Sequence, residues 1–156
     1  MADRDPQIVG RRTYPAYEAD YGAWIAAQAA ALQSGRYQDL DIPNLVDEVE
    51  SLGRSDFAAF TSAIEIVLLH MLKWDIQPER RTSSWVASID EHRSRIAQHL
   101  EDNPSYKARL SDAVTRAWRT APAKAAAETN LPQKLFPKQN PFDWDAITTR
   151  SYQLPA

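Results

Sequence analysis

Between Leu45 and Trp74 the apolar residues Leu45, Val49, Leu52, Phe60, Ile64, Val67, Met71 and Trp74 keep to one side of a single helical wheel, and no proline interrupts them. At 1.5 Å per residue, about 30 residues make a rod of ~45 Å, more than twice the length of an ordinary globular helix. A rod of that length buries its stripe only if other helices are laid along it, so this segment predicts an all-α fold: an antiparallel helical bundle around one long central helix. Gly53 falls near the middle, where a glycine either kinks the rod or lets a neighbouring backbone approach closely. Asp41, followed by Ile42 and Pro43, is read as the N-cap, and Pro78 blocks continuation past Gln77.

The rest of the chain supplies partners of the right kind. Twenty-four alanines against 23 valines, isoleucines and threonines together favour helix over pleated strand. A first helix is expected over Ala16 to Ser34, with Tyr17, Tyr21, Trp24, Ile25, Gln28 and Leu32 on one face, Glu18 and Asp20 in its first turn, and Gly35 as a left-handed stop. Ser83 or Ser84 is expected to cap a third helix reaching Asp102, with Trp85, Ile89, Ile96 and Leu100 inside. Asn103 and Pro104 open a fourth, carrying Tyr106, Leu110, Val114, Ala117 and Trp118, and Pro122 to Asn130 forms a short separate helix or a kinked extension. Leu131 to Pro141, with three prolines, reads as an extended strap that packs back through Phe136, Phe142 and Trp144. Asn140 and Pro141 then cap a short last helix from Phe142 to Thr149. Residues 14–152 are expected to form one helical domain behind a flexible N-terminal tail, residues 1–13, which is polar and lacks the apolar core of a secretory signal. The longest apolar stretch, Ile66 to Leu72, is interrupted by His70 and is far short of the ~20 residues of a membrane span, so a cytoplasmic protein is expected.

Charge and cysteine usage remove several function classes. With no cysteine there is no disulfide framework, thiolate nucleophile or sulfur zinc site. The formal net charge of −3 hides a partition, since residues 41–75 hold seven acids against two bases and residues 76–130 nine bases against seven acids. That pattern suits internal complementarity better than a basic nucleic-acid footprint, so binding through Arg80, Arg81, Arg93 and Arg95 is disfavoured. There is no G-x-S-x-G elbow, P-loop or dinucleotide glycine fingerprint, and no cofactor is implied. His92 and His99 lie seven apart, two helical turns, whereas helical metal ligands sit three or four apart, so no metal site is expected.

Two clusters remain as candidate binding residues. Around the end of the long helix stand His70, Lys73, Trp74, Arg80, Arg81 and Trp85, which could form an anion- or peptide-binding lip because guanidinium groups grip carboxylates and stack on indole. The plainer alternative is that the tryptophans pack and the arginines pair across the turn. The second cluster is the acidic run containing Glu48, Glu50 and Asp56. Asp56 falls inside the apolar stripe and therefore needs a buried partner, water, or a basic residue of a later helix, while Glu50 and Arg54 are spaced as an exposed i, i+4 pair.

These residues sit within an ordered set of short strings, "LDIPNLVDEVESLGRSD", "LLHMLKW", "QPERRTSSW", "NPSY", "AAAETNLP" and "LFPKQNPF". From about Tyr17 to Tyr152 the set resembles the bacterial domain of unknown function 29 family. The resemblance implies a small, single-domain, all-helical bacterial protein and brings no activity, substrate or cofactor. Its family-like positions are Glu48, Glu50, Gly53, Arg54, His70, Lys73, Trp74, Arg81, Trp85 and Arg93; His92 and His99 lie outside its motifs. With no complete catalytic constellation, the leading expectation is a non-catalytic module that binds a protein partner or a second copy of itself. The alternative is an enzyme or small-ligand-binding protein with Glu48, Glu50, Asp56 or His70 anchoring a polar pocket between helices.

Overall fold

The computed structural model describes residues 14–154, and every regular element among them is helical; the expected N-terminal tail, residues 1–13, lies outside the described residues. The helices are α1 Tyr21–Gln33, α2 Ile42–Ile76, α3 Ser83–Asp102, α4 Leu110–Trp118, α5 Ala121–Thr129 and α6 Trp144–Thr149, joined by short 3-10 turns. The chain divides after Arg54 into two compact units.

The first unit is small and held by polar contacts. The Asp20 carboxylate caps α1 by accepting from the Ala23 N–H at 2.9 Å, so the helix begins at Tyr21 and not at Ala16. Its end is a Schellman closure: Gly35 sits at φ +68°, its N–H reaches Leu32 O, and the Arg36 N–H reaches Ala31 O. Trp24, Gln28 and Ala31 are the buried residues of α1. Gln28 Oε1 accepts from the Asp41 N–H at 2.7 Å, and the Asp41 carboxylate accepts from Trp24 Nε1 at 3.1 Å and Asn44 Nδ2 at 2.8 Å. Asp41 thus stands just before α2, as the sequence leads one to expect, with its side chain tied to α1. A Cβ placed on Gly53 would meet nothing within 4 Å, so close backbone approach is not the reason for that glycine.

The second unit carries the hydrophobic core. Phe60, Ile64, Val67, Leu68 and Met71 of α2 are fully buried, together with Ile89 of α3, Ala113 and Ala117 of α4, Ala121 and Ala125 of α5, and Ile147 of α6. Rows of alanine on α4 and α5 let those short helices lie close to the larger α2 side chains. His70 faces Trp85 and Phe60 faces His99, so residue numbers rise along α2 as they fall along α3, and the two run antiparallel. An 18-residue window of α2 reaches a mean hydropathy of 1.4, so by length and composition α2 is long and apolar enough to cross a membrane, and half of that window is buried in the protein.

Several ends differ from the sequence expectation for local reasons. Thr82, not Ser83 or Ser84, occupies the N-cap of α3. The stretch Pro104–Arg109 is 3-10, delaying α4 to Leu110. α5 is separate and ends at Asn130, whose φ of 55° places Leu131 N–H on Ala126 O. Asn140 folds a local turn by accepting from the Phe142 N–H, and Asp143 caps α6 instead, accepting from Ala146 N–H at 2.7 Å. The strap behaves as expected: Phe136 is buried, and Phe142 and Trp144 pack partly buried against the core.

Candidate functional site

The last turns of α2 gather most of the first candidate cluster. Lys73 is 7% exposed, which for a lysine demands a partner, and its Nζ donates to Glu128 Oε2 at 2.7 Å while lying 4.6 Å from the Trp85 ring centre. Arg81 Nε donates to the Trp74 carbonyl at 3.0 Å, and its guanidinium stacks 4.7 Å from the Trp74 ring. This satisfies a carbonyl in the last turn of α2 and brings a cation to the negative end of the helix dipole. Trp74 meets Tyr152 edge-on at 5.2 Å, and Arg150 grips Asp75 through two bonds of 2.9 and 2.5 Å. Arg80 is exposed and stands apart from these contacts.

His70 is half-buried beside Trp85, and its Nδ1 is sealed from solvent without a hydrogen-bond partner. Burial, followed by the nearby Lys73 charge and His92, drives its pKa down to about 4 against an opposing pull from Glu128. A neutral imidazole in that position is a packing group with a polar edge. Of the cations expected to form an anion lip, Lys73 and Arg81 are engaged by Glu128 and by a backbone carbonyl, and Arg80 is not.

Asp56 corrects the stripe argument. It is exposed, at the rim of the core, where it accepts from Tyr106 Oη at 2.7 Å and Asn103 Nδ2 at 3.3 Å, with His99 Nδ1 at 3.7 Å. Its partners come from α3 and the 3-10 turn after it. A small hollow of about 180 Å³ between α2 and α3 is lined by Ser62, His92, Arg95 and His99. No group of three or more metal-ligating side chains occurs among the described residues.

In the first unit, Glu48 accepts from the phenols of Tyr17 and Tyr21, the latter at 3.0 Å. The hydrogen bond to Glu48 pushes the Tyr17 pKa up to about 12. Tyr17, Tyr21 and Trp24 pack as an aromatic triad above that carboxylate. Glu48 is thereby a clamp, and Glu50 makes the exposed pair with Arg54 at 3.3 Å.

The structure leaves an apolar face at the start of α2 outside, including Val49 and Leu52 of the stripe expected to be buried. Ile42, Val46, Val49 and Leu52 are 54, 50, 67 and 69% exposed, and a shallow hollow of about 240 Å³ lies among Ile42, Leu45, Val46, Val49 and Glu50. At ~100° per residue these side chains share one face.

No curated protein and no solved structure matches the chain. One family model does, that of the Domain of unknown function DUF29, over residues 16–153, nearly the full length and in agreement with the order of motifs seen in the sequence. The chain is a member of the DUF29 family.

Proposed function

We propose that the protein is a non-catalytic interaction module whose docking face is the start of α2, and that the occupant is a basic amphipathic helix of another protein. The observation that carries this reading is the row Ile42, Val46, Val49 and Leu52, each at least half exposed on one helical face. Isolated exposed apolar side chains are ordinary, whereas a contiguous row with a hollow among its members is the form a helix-in-groove contact takes.

Charge selects the partner. Residues 14–54 hold seven carboxylates against Arg36 and Arg54, and Glu50 lines the hollow itself. A second copy would bring the same acidic rim against this one, while a ridge of leucines flanked by lysines meets both the apolar row and its rim.

The test is fluorescence titration of the full chain with a synthetic helical peptide carrying leucines at i, i+4 and i+7 and lysines on the flanks, beside a scrambled control. Saturable binding of the ordered peptide that Val49→Asp and Leu52→Asp abolish, with helicity retained, is the expected result. Equal binding of the scrambled peptide, or binding untouched by both variants, overturns the proposal. A dimer in light scattering that V49D dissociates would assign the face to a second copy instead and would equally overturn it.

A further inference from the structure

A cleft of about 640 Å³ opens in the second unit between the end of α4, the start of α5 and the strap. Trp118, Pro122 and Phe136 give it apolar walls, and Arg119, Lys134 and Lys138 stand around it. Its volume falls within the roughly 300–1,000 Å³ of small-molecule sites.

The charges around this cleft have no carboxylate partner. By contrast Arg116 of α4 pairs with Asp112 at 2.8 Å, Lys124 of α5 with Glu65, and Lys73 of α2 with Glu128 at 2.7 Å. Arg119, Lys134 and Lys138 form no ion pair among the described residues. No carboxylate lines the cleft, and none occurs in the sequence between Glu128 and Asp143. Three like charges held around one concave surface repel one another, and a bound anion relieves that repulsion.

The apolar walls set the second requirement. Trp118 Nε1 donates to the Lys138 carbonyl at 3.3 Å, which ties the indole to the strap. On the far side of Trp118 a second hollow of about 340 Å³ shares Lys138 and adds Ser111, Thr115 and Asn140. A ligand here meets a tethered aromatic wall, cations at the mouth and hydroxyl and amide groups beyond. We infer that the cleft binds a small organic anion with two or more negative charges and a planar ring, the charges held by Arg119, Lys134 and Lys138 and the ring against Trp118. A nucleoside diphosphate and an aromatic dicarboxylate share that chemistry. Inorganic pyrophosphate has the charge without the ring.

The experiment is calorimetric titration of the full chain at low salt with adenosine diphosphate, benzene-1,3-dicarboxylate and pyrophosphate. One or both ring-bearing probes should bind saturably with a dissociation constant below about 1 mM, at least about tenfold tighter than pyrophosphate. Which of the two is tighter identifies the source of the charge. The double variant Lys134→Gln/Lys138→Gln, altered only at exposed strap positions, should lose at least about tenfold in affinity, and added salt should weaken the wild type more than the variant. Trp118→Phe should lose ring-bearing probes selectively while leaving pyrophosphate unchanged. Equal binding of all three probes would mean nonspecific charge attraction and would overturn the proposal. So would absence of saturation, affinity indifferent to K134Q/K138Q, or capture of acidic peptides with no binding of small ring-bearing anions. V49D leaves this cleft intact, so its effect on peptide docking and the outcome here fail or succeed separately.

Discussion

Along α2 the row Ile42, Val46, Val49 and Leu52 and the row Phe60, Ile64, Val67 and Met71 are built from similar side chains at helical spacing, yet the first is at least half exposed and the second fully buried. What differs is the company each keeps. The second row meets alanine-faced α4 and α5, Ile89 and Ile96 of α3, and Ile147, whereas α1 engages the start of α2 through Glu48 and Asp41, that is, through hydrogen bonds. Periodicity therefore states which face of a helix is apolar, and a separate fact, the supply of apolar partners, decides whether that face is covered.

Truncating the two rows measures this contrast most directly. Leu68→Ala should cost about 2–5 kcal/mol in urea unfolding, since Leu68 is fully buried, while Leu52→Ala should stay within about 0.5 kcal/mol. Comparable losses at both positions would erase the distinction. Next in size, Gln28→Ala leaves the Asp41 N–H without its acceptor and should cost about 1–3 kcal/mol. Hydrogen exchange should show this loss in α1 and the first turns of α2, with the amides around Ile64 and Leu68 still protected; exchange rising equally in both would mean that the two units unfold as one.

The pH dependence sharpens the same comparison within the second unit. His70 has a folded pKa near 4 against an ordinary value of 6.5, so between those values the unfolded chain binds the extra proton. Its contribution is fully present above about pH 6.5 and is lost as pH falls towards 4. The melting temperature should drop between pH 7 and 5, and His70→Gln should flatten that drop; an unchanged slope would remove His70 as its source. The smallest effect belongs to Glu50 and Arg54, whose double-mutant cycle should return no more than about 0.5 kcal/mol because both side chains are more than half exposed.

Much of the second unit was legible in the sequence because its signals are local. Phe136, Phe142 and Trp144 mark a strap that returns to the core, and in the first unit Gly35 likewise marks a left-handed stop. Caps were legible only to within a few residues, since Asn140, Asp143, Thr82 and Ser83 are all competent and the winner is set by where the preceding chain leaves off. Asp56 was misplaced because a wheel gives its angle but not the edge of the core, where Tyr106 and Asn103 wait for it. No short motif joins Arg119, Lys134 and Lys138; the signal the sequence carries is the run without carboxylates from Thr129 to Phe142. The partners of Lys73 and Arg81, Glu128 and the Trp74 carbonyl, are 55 and seven residues away in the chain, and only the fold brings them together.

Arg93 of α3 donates to the carbonyls of Ala146, Ile147 and Arg150 at 3.0, 2.7 and 2.8 Å, and Arg150 in turn holds Asp75. During synthesis from the N-terminus these acceptors emerge more than 50 residues after Arg93 itself. The first unit, whose bonds close between Tyr17 and Glu48, can form while the ribosome is still adding residues, but the second must wait with Arg93 unanswered until residue 150 is free. The order in which the chain is made thus gives the two units different moments of completion, and a pause in translation before residue 146 would leave a nascent chain finished at one end and open at the other.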